Sequence, residues 1–220
     1  TKVSKDGKGC GASWGASWAI TLDDGSVIAA DQVVLAGGAG LAALTEGWLE
    51  PLLPFQVTAG RVSHVPADHA PDLPADLPAM SFGGYCARAA DGQIALGATF
   101  DKDINVDLSI DEVLHERNLA LLPEQLRRYF TARTSDMATL DGRTWGGRLS
   151  YRIAAQDRAP IAGRIADGLY IITALGARGM VTAPILGAHV AAEICGAPSP
   201  LDRGMAAVVD PFRFSAKAGL

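Results

Sequence analysis

Two glycine-rich segments are the parts of the sequence whose residue types and spacing could support chemistry. Gly37-Gly38-Ala39-Gly40 follows residues 32–36, which are apolar after Gln32, and Gly176-Ala177-Arg178-Gly179-Met180 follows the largely apolar residues 169–175. Glycines let the backbone come close to a ligand, and α/β sheets bind ligands at the carboxyl ends of their strands. These segments therefore indicate a cofactor cleft, although Gly37-Gly38 alone is equally consistent with a simple reversal of the chain.

Arginine is concentrated between residues 127 and 178. This stretch contains nine arginines, no lysine and four aspartates, a net charge of +5 in a chain whose total is −5. Planar guanidinium groups suit two-pronged recognition of a carboxylate or a phosphate. Arg127 and Arg128 are expected to be exposed and available to a polyanion. The alternative is that most of these arginines are solvated or paired with the nearby aspartates.

Composition excludes several classes of protein. With 49% hydrophobic residues the chain can build a sizeable core, and its pI near 5.3 excludes the overall positive field that unaided nucleic-acid binding needs. Three widely separated cysteines cannot close a disulfide framework, which favours a reducing, cytoplasmic setting. The four histidines lack ligand spacing, so no metal site is expected. No membrane segment is expected, because residues 179–196 suit a buried helix better than a bilayer span.

The elements that position these residues are signalled mainly by turns. Asp23-Asp24-Gly25 and Ala90-Asp91-Gly92 each separate two apolar runs and predict two hairpins, at residues 18–30 and 80–100. Residues 32–36 are predicted to form a strand buried on both faces, and further strands are predicted at residues 55–65, 149–154 and 169–174.

Helices are predicted from caps and spacing. A capping box at Ser109-Ile110-Asp111-Glu112 predicts a helix to about Leu122, with Pro123 starting another. Residues 180–195 form a further predicted helix, which Gly196 ends. Helices are not expected among the prolines of residues 51–78.

Several of these motifs together resemble a known family. A similar signature occurs in the group of D-amino acid oxidase and glycine oxidase, which are FAD-dependent amine oxidoreductases. The residues that match it here, in the same order, are Arg152, Asp157, Pro160, Gly163, residues 168–170, residues 176–180 and Ala183-Pro184. Within that group, residues 97–101, 175–179 and 210–214 are similar to the tRNA-modifying members. The resemblance extends from Trp18 to Phe214. It departs from the family at Ala59-Gly60-Arg61, where members have Arg-Gly-Gln or Arg-Gly-Glu.

The resemblance implies a fold of the α+β or α/β class with FAD as cofactor. It implies a substrate domain at residues 46–147, built on a mixed and largely antiparallel sheet. Residues 1–45 and 148–220 would contribute the later strands and the C-terminal helix of an FAD-binding domain. The chain starts at Thr1 and has no G-x-G-x-x-G unit, so we expect a piece of a longer protein that binds FAD weakly by itself.

The resemblance also implies the roles of individual residues. Arg152 and Tyr85 match the positions that hold the substrate carboxylate, and Arg178 and Arg61 are the nearest alternatives. Tyr85 is equally consistent with a packing role. The cofactor would contact Gly37, Gly38, Gly176, Ala177, Arg178, Gly179 and Met180, with backbone amides at the flavin C2 carbonyl. No acid–base residue is implied, because this oxidation needs mainly positioning.

The function implied for a tRNA-modifying member is oxidation of a glycine-like secondary amine. Its substrate would be the carboxymethylaminomethyl group of a tRNA wobble uridine, cleaved to the aminomethyl form and glyoxylate, with tRNA as the partner. One alternative is a free amino-acid oxidase or dehydrogenase of the same fold, acting on a small glycine-like amine. Another is a piece of chain without catalytic activity. The sequence leaves the oligomeric state open.

Overall fold

The computed structural model describes residues 2–5, 18–41, 44, 54–104, 107–130 and 145–217. The chain divides into two compact units: unit 1 comprises Thr1–Val57 and Arg152–Leu220, and unit 2 comprises Thr58–Tyr151. Unit 2 is thus continuous in sequence, whereas unit 1 is assembled from the two ends of the chain.

Unit 1 contains two three-stranded sheets. In the first, β1 (Lys2–Lys5), β2 (Trp18–Thr21) and β3 (Val27–Ala30) are antiparallel neighbours. The β2–β3 turn contains Gly25 with φ +82°, which confirms the hairpin predicted from Asp23-Asp24-Gly25. In the second sheet, β11 (Leu169–Thr173) lies between β10 (Ile161–Ala166) and β4 (Val33–Leu35). It is antiparallel to β10 and parallel to β4.

The core of unit 1 lies on both faces of this second sheet. Val33, Leu35, Leu169 and Ile171 pack with Trp18 on one face. The Trp18 indole N–H donates a hydrogen bond of 2.9 Å to the Asp167 carbonyl, 149 residues away in the chain. The first hairpin is therefore fixed to the start of β11.

Two helices cover the other face. The α3 helix (Gly179–Cys195) and the α4 helix (Arg203–Val209) pack there through Leu186, Val190 and Val209. The α3 helix ends as predicted at Gly196, which has φ +65°. The prediction of a buried helix holds for only part of it, because Leu186 and Val190 are buried whereas Met180 and Val181 are 94% and 81% exposed. One face of α3 packs on the sheet, and the described residues do not cover the other.

The predicted burial of β4 on both faces is also wrong. Val33 and Leu35 are buried, but Val34 between them is 41% exposed. The α3 helix packs over β10 and β11. Since successive side chains of a strand point to opposite faces, the side of β4 that carries Val34 has no such cover in the described part of the chain.

Unit 2 is built on a sheet with the order β6-β7-β8-β5-β9. These strands are β5 (Phe55–Val65), β6 (Met80–Ser81), β7 (Tyr85–Arg88), β8 (Ile94–Gly97) and β9 (Gly146–Ala155). β5 has the predicted bounds, and Gly92 with φ +84° lies in the turn of the predicted β7–β8 hairpin. Both β5 and β9 continue in sequence across the boundary between the units.

The described part of unit 2 also contains two short α-helices. They are α1 (Glu112–Ala120) and α2 (Glu124–Arg127), and α2 begins after Pro123 as predicted. Leu119 of α1, Leu126 of α2 and Leu122 between the two helices belong to one core cluster with Cys86, Ile94 and Leu96 of the sheet.

The cap of α1 differs from the prediction. Asp111, not Ser109, is the N-cap, and its Oδ1 accepts a 2.9 Å hydrogen bond from the Leu114 amide. The Ser109 hydroxyl instead donates to Asp111 Oδ2 at 2.9 Å. The capping box fails because a carboxylate, which is also a preferred capping group, lies two residues closer to the helix.

This combination of helices with antiparallel and mixed sheets confirms the predicted fold class. Among the helices of the described residues, none has the length and hydropathy that crossing a bilayer requires.

Candidate functional site

The strand ends of unit 1 bring the two glycine-rich segments to one edge of a sheet. β4 and β11 are parallel neighbours, so their carboxyl ends lie side by side. A short 3-10 turn follows each strand, Gly38–Gly40 after β4 and Gly176–Arg178 after β11. Gly38 and Gly176 have φ +53° and +57°, and a Cβ added to either would meet no atom within 4 Å. These glycines therefore allow a left-handed backbone and leave open space beside it.

Gly37 has a different role at the same edge. A Cβ added there would lie 2.6 Å from Leu44 Cδ1. Its absence lets the Leu44 side chain pack against the backbone where β4 ends. Glycine thus allows close packing at position 37, whereas at positions 38 and 176 it allows a left-handed backbone.

The N-terminus of α3 lies within the second glycine-rich segment, because the helix begins at Gly179. Arg178 is its N-cap residue and makes no side-chain capping hydrogen bond. The Thr182 hydroxyl donates to the Arg178 carbonyl at 3.0 Å, so this side chain does not satisfy the helix amides either. The first amides of a helix lack intrahelical acceptors and favour an electron-rich oxygen.

These observations fit the polar groups of a flavin cofactor. The α3 helix offers amides without a side-chain cap, and the open space at Gly38 and Gly176 lies at the edge where α/β sheets bind ligands. Arg178 is exposed at this edge. Arg152, which also belongs to unit 1, lies half-buried in β9.

Tyr85 is positioned by the hairpin of unit 2. It lies in β7, opposite Ser81 of β6 and Gly97 of β8. The preceding residue must be glycine, because a Cβ on Gly84 would lie 2.6 Å from the Gly97 carbonyl oxygen. Cys86, the next residue, is fully buried in the core, so half-buried Tyr85 projects from the opposite face of the sheet.

Arg61 lies in a buried polar cluster that sequence reasoning did not find, which we call the Asp101 cluster. Its Nε donates to Asp101 Oδ2 at 3.2 Å and its Nη1 to the Ser109 carbonyl at 2.9 Å. Arg117 Nη2 donates to Asp101 Oδ1 at 3.0 Å, and the Thr99 hydroxyl donates to Oδ2. The Arg61 guanidinium thus serves the architecture of unit 2, and substrate binding by Arg61 stays a prediction.

The carboxyl group of Asp101 is held ionised. Burial raises its pKa, but hydrogen bonds from Thr99 and Arg117, together with the charges of Arg117 and Arg61, outweigh burial and lower the pKa below the ordinary value. The three partners lie two, 16 and 40 residues from Asp101 in the chain. No pattern of spacing along the chain indicates this cluster.

A second buried network surrounds His115, and we call it the His115 network. The Ser63 hydroxyl accepts from Asn118 Nδ2 at 2.9 Å and lies 2.8 Å from His115 Nδ1. The His115 ring packs against Trp145, whose indole N–H donates to His69 Nδ1 at 2.8 Å. Burial lowers the pKa of His115, so its neutral form is favoured.

Among the described residues, not every one of the concentrated arginines is exposed. Arg127 is half-buried, and its Nη2 donates to the carbonyls of Ala120 and Leu122 at 3.0 and 2.9 Å. The expectation that Arg127 is an exposed cation is therefore wrong, since it satisfies carbonyls left unpaired at the end of α1. Arg128 is exposed and lies over the Tyr129 ring. Two other members of this group, Arg133 and Arg143, lie outside the described residues.

Comparison with known sequences gives a family match and several curated relatives. The model of the family described as FAD dependent oxidoreductase matches residues 4–193. The tRNA 5-methylaminomethyl-2-thiouridine biosynthesis bifunctional protein MnmC of Caulobacter sp. strain K31 is 37% identical over 205 residues, which cover 91% of this chain and 31% of that protein. Its counterpart in Chromohalobacter salexigens is 31% identical over 230 residues, with 90% and 31% covered. The chain thus spans about a third of these relatives.

Solved structures share the fold at lower sequence identity. Iminodiacetate oxidase from Chelativorans sp. BNC1 matches with a TM-score of 0.60 and 22% identity, over 88% of this chain and 50% of that one. Glycine oxidase from Bacillus cereus ATCC 14579 matches with a TM-score of 0.56 and 22% identity, over 81% and 45%. At such identities the likeness is evidence of fold alone.

Proposed function

The chain belongs to the family of FAD-dependent oxidoreductases, and from this membership we propose that it serves the oxidation of a carbon–nitrogen bond in a glycine-like secondary amine. The observation that carries the proposal is the edge of unit 1 at which β4 and β11 end. There, Gly38, Gly176 and the α3 N-terminus leave open space and backbone amides for a cofactor. The full activity belongs to the protein in its full natural length, since this chain spans 31% of its curated relatives.

The residues that would hold FAD belong to unit 1. Gly37 and Gly38 would contact it from the end of β4, and Gly176, Ala177, Arg178, Gly179 and Met180 from the end of β11. The α3 amides would face an electron-rich oxygen such as the flavin C2 carbonyl. When bound, FAD accepts the hydride that leaves the carbon next to the amine. Unit 1 would thus belong to the FAD-binding domain and unit 2 to the substrate domain.

The carboxylate of the substrate would bind to arginine. Arg152 of unit 1 would form two parallel hydrogen bonds to it, which a lysine cannot reproduce. In unit 2, Tyr85 would donate its phenol O–H to the substrate, from the sheet face opposite the core. Arg178 and Arg61 are the alternative carboxylate ligands, and Arg178 is the more accessible of the two.

The substrate we favour is the carboxymethylaminomethyl group of a tRNA wobble uridine. The support is the identity of 37% to a relative named for tRNA 5-methylaminomethyl-2-thiouridine biosynthesis. Loss of hydride and a proton from the C–N unit gives an imine, and water then releases glyoxylate and the aminomethyl uridine. Such a substrate is consistent with a cytoplasmic location, as are the free cysteines Cys86 and Cys195.

A small amino acid is the second candidate substrate. The structures of iminodiacetate oxidase and glycine oxidase share the fold, and both are named for small substrates with a carboxylate. This candidate needs the same cofactor edge and the same arginine, but no surface for tRNA.

The experiment that separates these candidates uses the protein in its full natural length. We expect flavin absorbance after gel filtration, and glyoxylate release from tRNA carrying the carboxymethylaminomethyl group. Turnover of iminodiacetate or glycine without any turnover of the tRNA would favour the second candidate. A protein without flavin that oxidises neither substrate would contradict the whole proposal. The same absorbance measured on the 220-residue chain tests the prediction that it binds FAD weakly by itself.

A further inference from the structure

Phe100 is exposed at the surface, although its two neighbours in the sequence are largely buried. Thr99 is 5% exposed, and the Asp101 side chain is 14% exposed, whereas Phe100 is 58% exposed. This aromatic residue lies in the Gly97–Asp101 segment, which resembles the tRNA-modifying members of the family. The proposed oxidation assigns this segment no role.

The backbone on both sides of Phe100 is fixed. Ala59 and Asp101 exchange two backbone hydrogen bonds of 2.9 Å, and the Thr99 amide donates to the Arg61 carbonyl at 3.2 Å. The Thr99 hydroxyl accepts from the Arg61 amide at 3.1 Å. The Asp101 cluster adds an ion pair beneath the segment. The backbone that carries the ring is therefore held in place before any partner binds, which reduces the entropy lost on binding.

Two cations lie beside this segment. The Arg117 guanidinium is fixed by Asp101 at 3.0 Å, while its side chain remains 50% exposed. Lys102 follows directly in the sequence and is exposed. Exposed acidic residues are close in sequence to the same cations and outnumber them, namely Asp103, Asp107, Asp111, Glu112 and Glu116. Charge alone thus gives no net attraction for phosphate here, and the favourable contact is the face of the ring.

We propose that Phe100 stacks on an unpaired base of the tRNA, an inference that rests on the proposed tRNA substrate. Aromatic rings on a rigid segment, flanked by arginine or lysine, are typical contacts of unpaired bases. A wobble nucleotide lies in a single-stranded loop whose bases can turn outward. Stacking on Phe100 would add affinity for the RNA without touching the carbon–nitrogen bond that is oxidised.

The test compares three variants of the protein in its full natural length. Phe100→Ala removes the ring, Phe100→Trp retains a stacking surface, and Phe212→Ala removes a matched aromatic residue of unit 1 that is 51% exposed. The Kd for tRNA is measured at several salt concentrations, together with the thermal unfolding midpoint. We expect Phe100→Ala to raise Kd about tenfold with an unchanged salt slope, and the other two variants to bind like wild type.

The outcomes separate the inference from the function on which it rests. Wild-type protein that does not bind tRNA would overturn both. Wild-type binding with an equal Kd for Phe100→Ala would overturn the stacking contact and leave the proposed function standing. A lower unfolding midpoint for Phe100→Ala with unchanged Kd would show that the ring packs within the protein, which also overturns the inference. A weaker Kd with a flatter salt slope would assign the loss to phosphate contacts instead.

Discussion

The two units use buried polar side chains in different ways. Among the described residues, unit 2 buries Arg61, Ser63, His69, Thr99, His115 and Asn118, whereas unit 1 buries only Thr173 and His189. In unit 2 most of these groups bond to one another and hold strands and helices together. At the edge of unit 1 where β4 and β11 end, the polar groups are backbone amides and the exposed Arg178. Whether a carboxylate of the same unit already binds an arginine thus decides whether that arginine serves the structure or stays available to a ligand.

Arg61 tests the structural role of a buried arginine, and its substitution should have the largest effect on stability. Arg61→Met leaves Asp101 buried with fewer partners, so we expect the free energy of unfolding to fall by about 3 kcal/mol. Urea unfolding of the chain measures this loss. The exposed Arg164 of unit 1 is the matched control, and Arg164→Met should change stability by less than about 0.5 kcal/mol. Equal losses for both variants would remove the contrast between the units.

Arg152 tests the proposed role of an arginine in binding the substrate carboxylate. In the protein of full natural length, Arg152→Lys should raise KM for the carboxylate substrate by about tenfold or more, corresponding to roughly 1.5 to 3 kcal/mol for a hydrogen bond to a charged group. Stability should change little. Steady-state kinetics and thermal unfolding are both needed, because unchanged kinetics with reduced stability would place Arg152 with Arg61 among the structural arginines. In that case Arg178→Lys becomes the next variant to measure.

Arg127 and Arg128 are adjacent in the sequence, but only Arg128 is exposed, so the pair tests the contrast between a structural and an exposed arginine. Arg127→Ala leaves the carbonyls of Ala120 and Leu122 without a donor and should cost about 1 kcal/mol of stability. Arg128→Ala should cost less, since Arg128 is exposed. If Arg128 contacts a tRNA phosphate, its loss lowers the salt slope of binding by roughly 0.7 to 0.9. Equal stability losses for the two variants would contradict the capping role of Arg127.

His115 gives the smallest effect, confined to a window of pH. Its pKa in the folded chain is lowered below the ordinary value of 6.5, so the unfolded chain binds the proton more readily. The contribution of His115 is therefore complete above about pH 6.5 and is lost as pH falls through the folded-state pKa. We expect His115→Gln to flatten the decrease in stability below pH 6.5, measured by urea unfolding at several pH values. A variant with the wild-type slope would assign the decrease to other groups.

Short-range signals predicted much of the fold. The β5 bounds, both hairpins and the Gly196 end of α3 follow from turn residues and proline spacing, which act within a few residues. The cap of α1 was misassigned because Ser109 and Asp111 are both capping residues, and local sequence does not decide which carboxyl or hydroxyl group reaches the Leu114 amide. The exposure of Val34 depends on which helix covers β4, and the sequence of the strand does not contain that information.

The candidate site was less predictable than the fold. Glycines at the ends of β4 and β11 could be recognised, because a strand followed by glycine is a local pattern. The partners of the arginines could not be predicted in this way. Arg61 binds Asp101, which is 40 residues away in the chain, whereas Arg127 binds carbonyls that are five and seven residues away. A count of arginines cannot distinguish these environments.

The hydrogen bond from Trp18 to the Asp167 carbonyl also has a kinetic meaning. It joins residues 149 apart, and β4 pairs with β11 across a similar separation. Closing so long a loop is entropically costly and slows folding. Unit 2 is continuous and is synthesised before the second half of unit 1. Its folding shortens that loop, so we expect the β4–β11 sheet to close last, and its unpaired strand edges to be the aggregation-prone surface of the nascent chain until then.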